Sequence, residues 1–379
     1  MGIGWTPAYR ADIVGDAFVG DGTTKSDATA FVFDGPAACR RLTATFPGNN
    51  GGARSARGIA KCLAKQVRRH TADGTLAGKV VSVYFDNLHK LPAQRALVAA
   101  SRARAHNPIT AEEKEAVSEL KLDALGPGHL TMVMPWDLLL RDKDTKAIVW
   151  ELLGQALFAV FCEEEGCSVE VVTEKKRYVR QYDDVLPPTT QSAHGEADLM
   201  VRERSTELAD AGQTVEIVTV DYDQLLQSLL ERRTGARYVR YPKELIDVHI
   251  LREKYGTTRG RLLTAAFHLL AAFKSDYSKS LCRPAKMKVK EFITEMQACK
   301  GNIVSEVVDV AGTHCLVFKP QQLRGILKRP NAAVAKLVGS ILWTLAYFAE
   351  YERTKRQPTI AYPDDDVWFH DSITFAHDV

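Results

Sequence analysis

The sequence lacks the features typical of membrane-spanning proteins, of secreted proteins and of proteins stabilised by a zinc ion or disulfides. Its longest apolar stretches, residues 262–273 and 337–349, fall short of the roughly 20 residues that a helix needs to cross a bilayer. Arg10, Asp12 and Asp16 interrupt the N-terminal region, so we expect no signal peptide. The seven cysteines show no CxxC spacing, which argues against a zinc site or a disulfide framework. We therefore expect a soluble intracellular protein.

Net charge is also low, because 50 Lys+Arg against 47 Asp+Glu leave a formal charge of only +3. The charge is unevenly distributed. Residues 35–111 hold thirteen Lys/Arg and two acids, Asp73 and Asp86, which gives this segment a net charge of +11 and leaves −8 for the remainder. So concentrated a basic segment predicts a surface that faces a polyanion, although a solvated helix face is the alternative.

Apolar, β-branched and aromatic runs alternate with stretches of helical spacing along much of the chain. Residues 30–34 and 79–86 are predicted strands that each end in Asp, and residues 53–70 between them are a predicted helix. Such a strand–helix–strand unit places its strands parallel and adjacent. Residues 174–192 are polar and predict an inserted loop, and residues 303–318 predict a hairpin. We predict an α/β fold with a central, mostly parallel sheet flanked by helices.

Acidic residues recur where predicted strands end or predicted helices begin or end. Seven carboxylates share this placement: Asp34, Asp86, Glu196, Asp198, Asp221, Asp223 and Asp276. In open α/β sheets the functional crevice lies beyond the carboxyl ends of the strands, so these groups are expected to gather there. Gathered carboxylates repel one another unless a cation neutralises them, and hard oxygen ligands suit Mg²⁺ or Mn²⁺.

A helix cap is the alternative explanation for each of these acids, because Asp commonly caps a helix that follows a strand. It is strongest for Asp34. It suits Asp221 and Asp223 less well, because an i, i+2 pair directs two carboxylates the same way from an extended segment. Two divalent ions about 4 Å apart can activate water and stabilise the leaving oxygen of a phosphodiester. A basic segment beside an acidic cluster is what a metal-dependent nuclease requires.

The motifs of this chain resemble those of the flap endonucleases, a family of structure-specific 5′ nucleases with a PIN-like core. Met1-Gly2-Ile3, the strand that ends at Asp34, VYFDN, GEAD, VDYD and SDY stand in the family's order. Each motif is weak alone, and the resemblance covers about residues 1–285. It implies a nuclease core formed by residues 1–125, which include a basic helical arch, and residues 126–285. Residues 286–379 would form a divergent, mainly helical C-terminal region.

The resemblance also implies roles for individual residues. The seven carboxylates would hold two Mg²⁺ or Mn²⁺ ions. Basic residues at the position of the family's arch would steady the scissile phosphate, where positive charge stabilises the transition state: Lys90, Arg95 and Arg102. The remaining candidates for nucleic-acid binding are basic residues of the positive segment and of the stretch after Asp276: Arg40, Arg41, Arg54, Arg57, Lys61, Arg69, Arg104, Lys279 and Arg283.

Three positions depart from the family's pattern. Asp198 stands where the family usually has Glu, and Arg40 stands where it usually has an aromatic residue on which a base stacks. Residues 277–288 contain no glycine, whereas the family has a glycine-rich hairpin there that grips duplex DNA. Backbone amides approach phosphate best where no side chain intervenes, so we expect duplex binding to be weakened or rebuilt.

The leading hypothesis is therefore a metal-dependent phosphodiester hydrolase that cleaves DNA at 5′ flaps, 5′ ends or nicks in replication or repair. A ribonuclease of the same superfamily is one alternative. A catalytically idle descendant that binds nucleic acid, or that serves inside a larger assembly through its C-terminal region, is another. We expect no membrane partner, and no sliding-clamp-binding peptide is recognisable in the C-terminal region.

Overall fold

The computed structural model describes residues 14–39, 55–91, 108–123, 142–181, 184–189, 195–221, 223–230 and 235–255, and three strands near the C-terminus. The chain divides into two compact units, which we describe separately. The larger unit comprises Val19–Val220 and Arg233–Asp247, and the smaller unit comprises Met1–Phe18, Asp221–Arg232 and Val248–Val379.

A nine-stranded sheet organises the larger unit. Its strands are β1 (Phe18–Gly20), β2 (Ala30–Asp34), β3 (Val80–Tyr84), β4 (Ser168–Val172), β5 (Arg177–Gln181), β6 (Asp184–Thr189), β7 (Val215–Val218), β8 (Tyr238–Tyr241) and β9 (Glu244–Asp247). Their order across the sheet is β1-β9-β8-β7-β2-β3-β4-β5-β6. The predicted α/β class is thus confirmed, with helices packed on a central sheet.

The sheet is mixed, which corrects the expectation of a mostly parallel one. Its central strands β8, β7, β2, β3 and β4 run parallel. Strands β9, β5 and β6 pair antiparallel with their neighbours toward the two edges. Both β5 and β6 fall within residues 174–192, where the sequence predicted a loop. Pro187 and Pro188 suggested that loop, but an edge strand tolerates proline because one of its sides needs no ladder hydrogen bonds.

The helices described in the larger unit include α1 (Ala56–His70), α2 (Ala111–Asp123), α3 (Lys143–Cys162) and α4 (Ala197–Asp210). The predicted strand–helix–strand unit is confirmed, since β2 and β3 are parallel neighbours on either side of α1 in the chain. Ser55 caps α1, because its Oγ accepts a hydrogen bond from the Gly58 N–H at 3.0 Å.

The helices cover the two faces of the sheet. Phe31, Phe33 and Phe85 pack with the apolar faces of α1 and α3 in one hydrophobic core. The alternate side chains of the same strands face the other way, because strand side chains alternate between faces. Helix α4 packs against β2, β3 and β7, and its Arg204 contacts Glu170 of β4 on this second face. Both faces of the central strands β2, β3, β4 and β7 are thereby buried.

Among the described residues, α3 alone is long and apolar enough to cross a membrane by length and composition. It packs against α1 and β4, however, and 56% of its most apolar window is buried within the protein. Trp150, for example, contacts Phe85 with their ring centroids 5.8 Å apart. This burial is typical of a core helix and is compatible with a soluble protein.

In its described residues, the smaller unit contains a short 3₁₀ helix (Gly15–Ala17) and the α-helices α5 (Asp223–Leu230) and α6 (Val248–Tyr255). It also contains a three-stranded antiparallel sheet of β10 (Val304–Val308), β11 (His314–Phe318) and β12 (Ile373–His377). The hairpin predicted over residues 303–318 is confirmed by the pairing of β10 with β11. The described residues beyond position 300 are strands, and the rest of the region predicted to be mainly helical lies outside the described residues.

Candidate active site

The ends of β2 and β3 bring the first two predicted acids to one edge of the sheet. Asp34, the last residue of β2, is paired in register with Tyr84, the last residue of β3. Asp86 follows two residues later. The two strands converge closely here, because a Cβ added to Gly35 would lie 2.9 Å from the Tyr84 carbonyl oxygen and 2.9 Å from the Phe85 ring. Gly35 therefore permits the close packing that sets the distance between the two segments.

Replacing Gly35 with Ala is expected to destabilise the larger unit by about 1–3 kcal/mol, because the added methyl group collides with backbone that cannot move freely. Chemical denaturation followed by circular dichroism measures this change. Lys65→Ala, at an exposed position of α1, is the control and should change the free energy of unfolding by less than about 0.5 kcal/mol. Equal stability of Gly35→Ala and the wild type would contradict the close approach.

The start of α4 is held at the same edge by hydrogen bonds to the segment after β3. Asp86 Oδ1 accepts a hydrogen bond from the Ala197 N–H at 2.9 Å, and the Asn87 N–H donates to the Gly195 carbonyl oxygen at 2.6 Å. Gly195 has a φ of 136°, a conformation that favours glycine. Two motifs 111 residues apart in the chain, VYFDN and GEAD, are thus joined directly.

Glu196 and Asp198 belong to the first turn of α4 or precede it directly, and both are buried. Glu196 occupies the N-cap position, but its own side chain makes no capping bond to the helix. Asp86 supplies that bond instead. Asp34, Asp86, Glu196 and Asp198 all belong to the larger unit and lie at the carboxyl edge of its parallel strands; we call these four residues the acidic edge.

Capping accounts for part of this arrangement. Asp34 Oδ1 accepts a hydrogen bond from the Ala37 N–H at 3.2 Å, at the start of the helical residues 35–39. Its negative charge also lies near Cys39, where burial, and after it the charge of Asp34, raises the pKa of the thiol. Asp86, which caps α4, is only partly buried. Helix capping therefore accounts for the position of one carboxylate oxygen of Asp34 and one of Asp86.

The donor types at the acidic edge fit Mg²⁺ or Mn²⁺, since all four are carboxylates. Their spacing does not form a complete site: in the described part of the chain, no group of three or more His, Cys, Asp or Glu side chains is arranged to hold a metal ion. Asp34 and Asp198 are almost fully enclosed, whereas Asp86 is the member most open to solvent. An approaching ion or phosphate would therefore meet Asp86 first.

Asp221 and Asp223 lie in the smaller unit and are described there. Strand β7 ends at Val218, and Asp223 is already the first residue of α5. Asp221 is buried, and its carbonyl oxygen accepts a hydrogen bond from the Gln224 N–H at 3.4 Å. The sequence predicted an extended i, i+2 segment for this pair. That prediction is wrong, because the strand ends at Val218 and a helix begins at Asp223.

Only some of the basic residues predicted to bind the nucleic acid lie within the described part of the chain. Lys90 is exposed in a turn after Asp86, and its N–H donates to the Asn87 carbonyl oxygen at 3.0 Å. Arg57, Lys61 and Arg69 lie on α1. The other predicted site residues fall outside the described residues: Arg40, Arg41, Arg54, Arg95, Arg102, Arg104, Asp276, Lys279 and Arg283.

A polar network beside the acidic edge was missed by the sequence reasoning. Glu170 of β4 accepts a hydrogen bond from Tyr84 Oη at 2.8 Å and from Arg177 Nε at 2.6 Å, and Arg204 Nε lies 3.2 Å from it. Burial, and after it the charge of Glu170, raises the pKa of the Tyr84 hydroxyl well above its usual value. Tyr84 is therefore a neutral donor. A Glu within the apolar run SVEVV was the signal that could have identified this network.

Arg202 was also missed. It lies on α4, four residues after Asp198, which places both side chains on the same face of the helix. The exposed fraction of Arg202 is only 1%, so its guanidinium is buried where α4 packs against the sheet. A buried cation of this kind is stable only when it lies near anions, and Asp198, one turn earlier in α4, is an acid of the same helix face. Helix α4 thus carries a buried positive charge one turn after Asp198.

Comparisons with known proteins do not add a family. No protein-family model matches the chain, and no curated protein is significantly similar to it.

Proposed function

We propose that this protein is a metal-dependent phosphodiester hydrolase of the structure-specific 5′ nuclease type, with DNA flaps, 5′ ends or nicks as substrates. The hydrogen bond from Ala197 N–H to Asp86 carries this proposal, because it joins the segment after β3 that bears Asp86 to the start of α4, where Glu196 and Asp198 lie. The +11 segment supports it, since a phosphodiester substrate is a polyanion.

In this proposal Asp34, Asp86, Glu196 and Asp198 of the larger unit hold Mg²⁺ or Mn²⁺. The bound ions would supply an activated water and offset the charge of the leaving oxygen. The chain's own basic residues have a separate role. Lys90, Arg95 and Arg102 orient the scissile phosphate and stabilise the negative charge that develops on it.

The proposal is tested by incubating the full-length chain with matched substrates: a 5′-flap DNA, a nicked duplex and single-stranded RNA of the same sequence. We expect cleavage of the flap and nicked DNA in Mg²⁺ or Mn²⁺, and its complete loss in EDTA. Calcium serves as a control ion because it binds carboxylates with a different geometry. Absence of cleavage in every cation overturns the proposal, and preferential cleavage of the RNA replaces it with the ribonuclease alternative.

A catalytically idle protein that binds nucleic acid is the second candidate, and Arg202 favours it. Arg202 is buried on α4 four residues after Asp198, and a guanidinium on the same helix face can neutralise that acid without any metal ion. The two candidates differ in their response to cations. Ligand binding to the native state raises its thermal stability, so the hydrolase predicts a higher melting temperature in millimolar Mn²⁺. The idle protein predicts no shift and no cleavage.

A further inference from the structure

Helix α1 carries a regular row of positive charge that the proposed chemistry does not use. Its fifteen residues, Ala56–His70, contain no acid. Arg57, Lys61, Lys65 and Arg69 recur at every fourth position, and we call these four residues the basic row. Residues four apart in a helix share one face, so the basic row is continuous along the helix.

The basic row covers most of the length of α1. Each step of four residues advances about 6 Å along the helix axis, so the row extends over roughly 18 Å. Its opposite face is fixed in place, because Ile59, Leu63 and Val67 are buried in the core that α1 shares with α3. The row therefore stands on a rigid helix and cannot rotate away from solvent.

Most of this positive charge is available to a partner. Lys61, Lys65 and Arg69 are exposed, and no carboxylate partner is found for them within the described residues. Arg57 pairs with Glu163, but both side chains are substantially exposed, at 34% and 49%. An exposed ion pair of this kind contributes little and exchanges readily with another anion.

The direction of α1 connects the basic row to the acidic edge. The end of α1 lies at the amino edge of the sheet, where the Ser26 N–H donates to the His70 carbonyl oxygen at 2.9 Å and Ser26 bridges Thr71. Ser26 precedes β2 in the chain. The helix therefore runs antiparallel to β2, and its first residues, including Arg57, are directed toward the carboxyl edge that carries Asp34 and Asp86.

We propose that the basic row binds the phosphates of one strand of a nucleic-acid duplex and directs that strand toward the acidic edge; the second part rests on the proposed function. A strand of B-form DNA carries one phosphate about every 3.4 Å along the axis, so a row of roughly 18 Å spans about five phosphates. Contacts of this type position a duplex without reading its sequence.

A lipid surface fits the basic row less well. Helices that lie on membranes insert an apolar face below their basic residues. The apolar face of α1 is buried against α3, and the large exposed apolar side chains of the described residues lie elsewhere: Phe18, Val19, Val185 and Leu186. The chemistry of the row therefore matches a polyanion approached through charge alone.

The test compares two triple variants with the same change in charge. Lys61→Glu, Lys65→Glu and Arg69→Glu remove the exposed part of the basic row. Lys175→Glu, Lys176→Glu and Lys243→Glu are the matched control, since these lysines are exposed in turns of the same unit. Binding of a fluorescein-labelled 30-base-pair DNA duplex is measured by anisotropy in EDTA at several salt concentrations, after circular dichroism has confirmed that both variants are folded.

We expect the triple variant of the basic row to bind the duplex at least tenfold more weakly. The slope of log K against log salt should become less negative by roughly 2–3, because up to three phosphate contacts are lost. The control should keep the wild-type slope. Equal losses in both variants, or no loss in either, overturn the inference. Binding to phosphatidylserine vesicles that depends on the basic row, with no binding to the duplex, would also overturn the inference. Because the assay contains no catalytic ion, row-dependent binding without cleavage refutes only the proposed function.

Discussion

Replacing Asp86 with Asn is expected to lower phosphodiester cleavage by about 10²–10³-fold or more while leaving the stability of the protein nearly unchanged. The structure provides the reason for this separation. Asp86 Oδ1 accepts the Ala197 N–H that begins α4. The amide oxygen of Asn can accept the same hydrogen bond, since Asn and Asp cap helices about equally well. Only the negative charge, which a metal ion or a metal-bound water requires, is removed.

Asp86→Ala provides the comparison, because it removes both the charge and the capping oxygen. We expect the same loss of cleavage, together with a loss of about 1 kcal/mol in the free energy of unfolding. Cleavage is measured on the 5′-flap substrate as kcat/KM at saturating Mg²⁺, and unfolding is measured in urea. Should Asp86→Asn cleave at the wild-type rate, Asp86 would be a structural cap alone, and the metal site would lose its most accessible ligand.

A third measurement distinguishes binding of the ion from chemistry. Asp86→Asn should raise the Mn²⁺ concentration that gives half-maximal activity, or abolish the Mn²⁺-dependent rise in melting temperature. The melting temperature requires no substrate, so it reports on the ion alone. Glu119→Gln, on the exposed part of α2, is the matched control because it also removes one negative charge. The control should leave both activity and the thermal shift unchanged.

The sequence predicted the centre of the fold better than its edges, for a physical reason. Residues 30–34 are apolar throughout except for the final Asp, and they form β2 with the predicted bounds. Strands of this kind are buried on both faces and have a strong pattern. Strand β5 has the sequence RYVRQ, in which Arg180 is buried because its guanidinium donates to the Cys162 carbonyl oxygen. The local sequence pattern cannot predict a buried arginine whose hydrogen-bond partner is a backbone carbonyl group elsewhere in the chain.

The acidic edge shows the same limit. Strand ends at Asp34 and Asp86 could be placed together from parallel pairing alone, and the start of α4 could be located from its residues. The bond between Asp86 and Ala197 could not, because it depends on the long connection that carries α3, β4, β5 and β6. Arg202 was overlooked because a cation in a helix is usually exposed, and only packing of α4 on the sheet encloses it.

The largest effect on stability is expected from Arg240, which forms a fully buried ion pair with Glu216. Both side chains have an exposed fraction of 0%, and two nitrogens of Arg240 contact the carboxylate, with Nη2 3.0 Å from Glu216 Oε2. The pair also anchors the segment before β2: Ser26 Oγ donates to Glu216 at 2.6 Å, and Arg240 Nη1 donates to the Gly22 carbonyl oxygen at 3.2 Å. Three segments of the chain, the one before β2 and the strands β7 and β8, therefore meet at one pair of charges.

Arg240→Met should lower the free energy of unfolding by about 3–5 kcal/mol, because it leaves the Glu216 carboxylate buried without its cation. Glu216→Gln should cost less, since the amide retains an oxygen that can accept from Arg240 and Ser26. The double variant Arg240→Met with Glu216→Leu removes both charges and should be more stable than Arg240→Met alone. Urea denaturation of the wild type, Arg240→Met, Glu216→Leu and the double variant forms a double-mutant cycle that measures the coupling directly.

Arg237→Met is the control for this cycle, because Arg237 is partly exposed and its contacts with Asp27 and Asp247 are 3.4 Å and 3.5 Å long. Exposed pairs of this kind contribute less than about 1 kcal/mol. If Arg240→Met and Arg237→Met cost the same, the buried pair would not be the anchor of the segment before β2. If only Arg240→Met is destabilised, the cost arises from an uncompensated buried charge. Strands β7 and β8 would then owe their alignment beside β2 to this pair, because Glu216 and Arg240 lie on these two neighbouring strands.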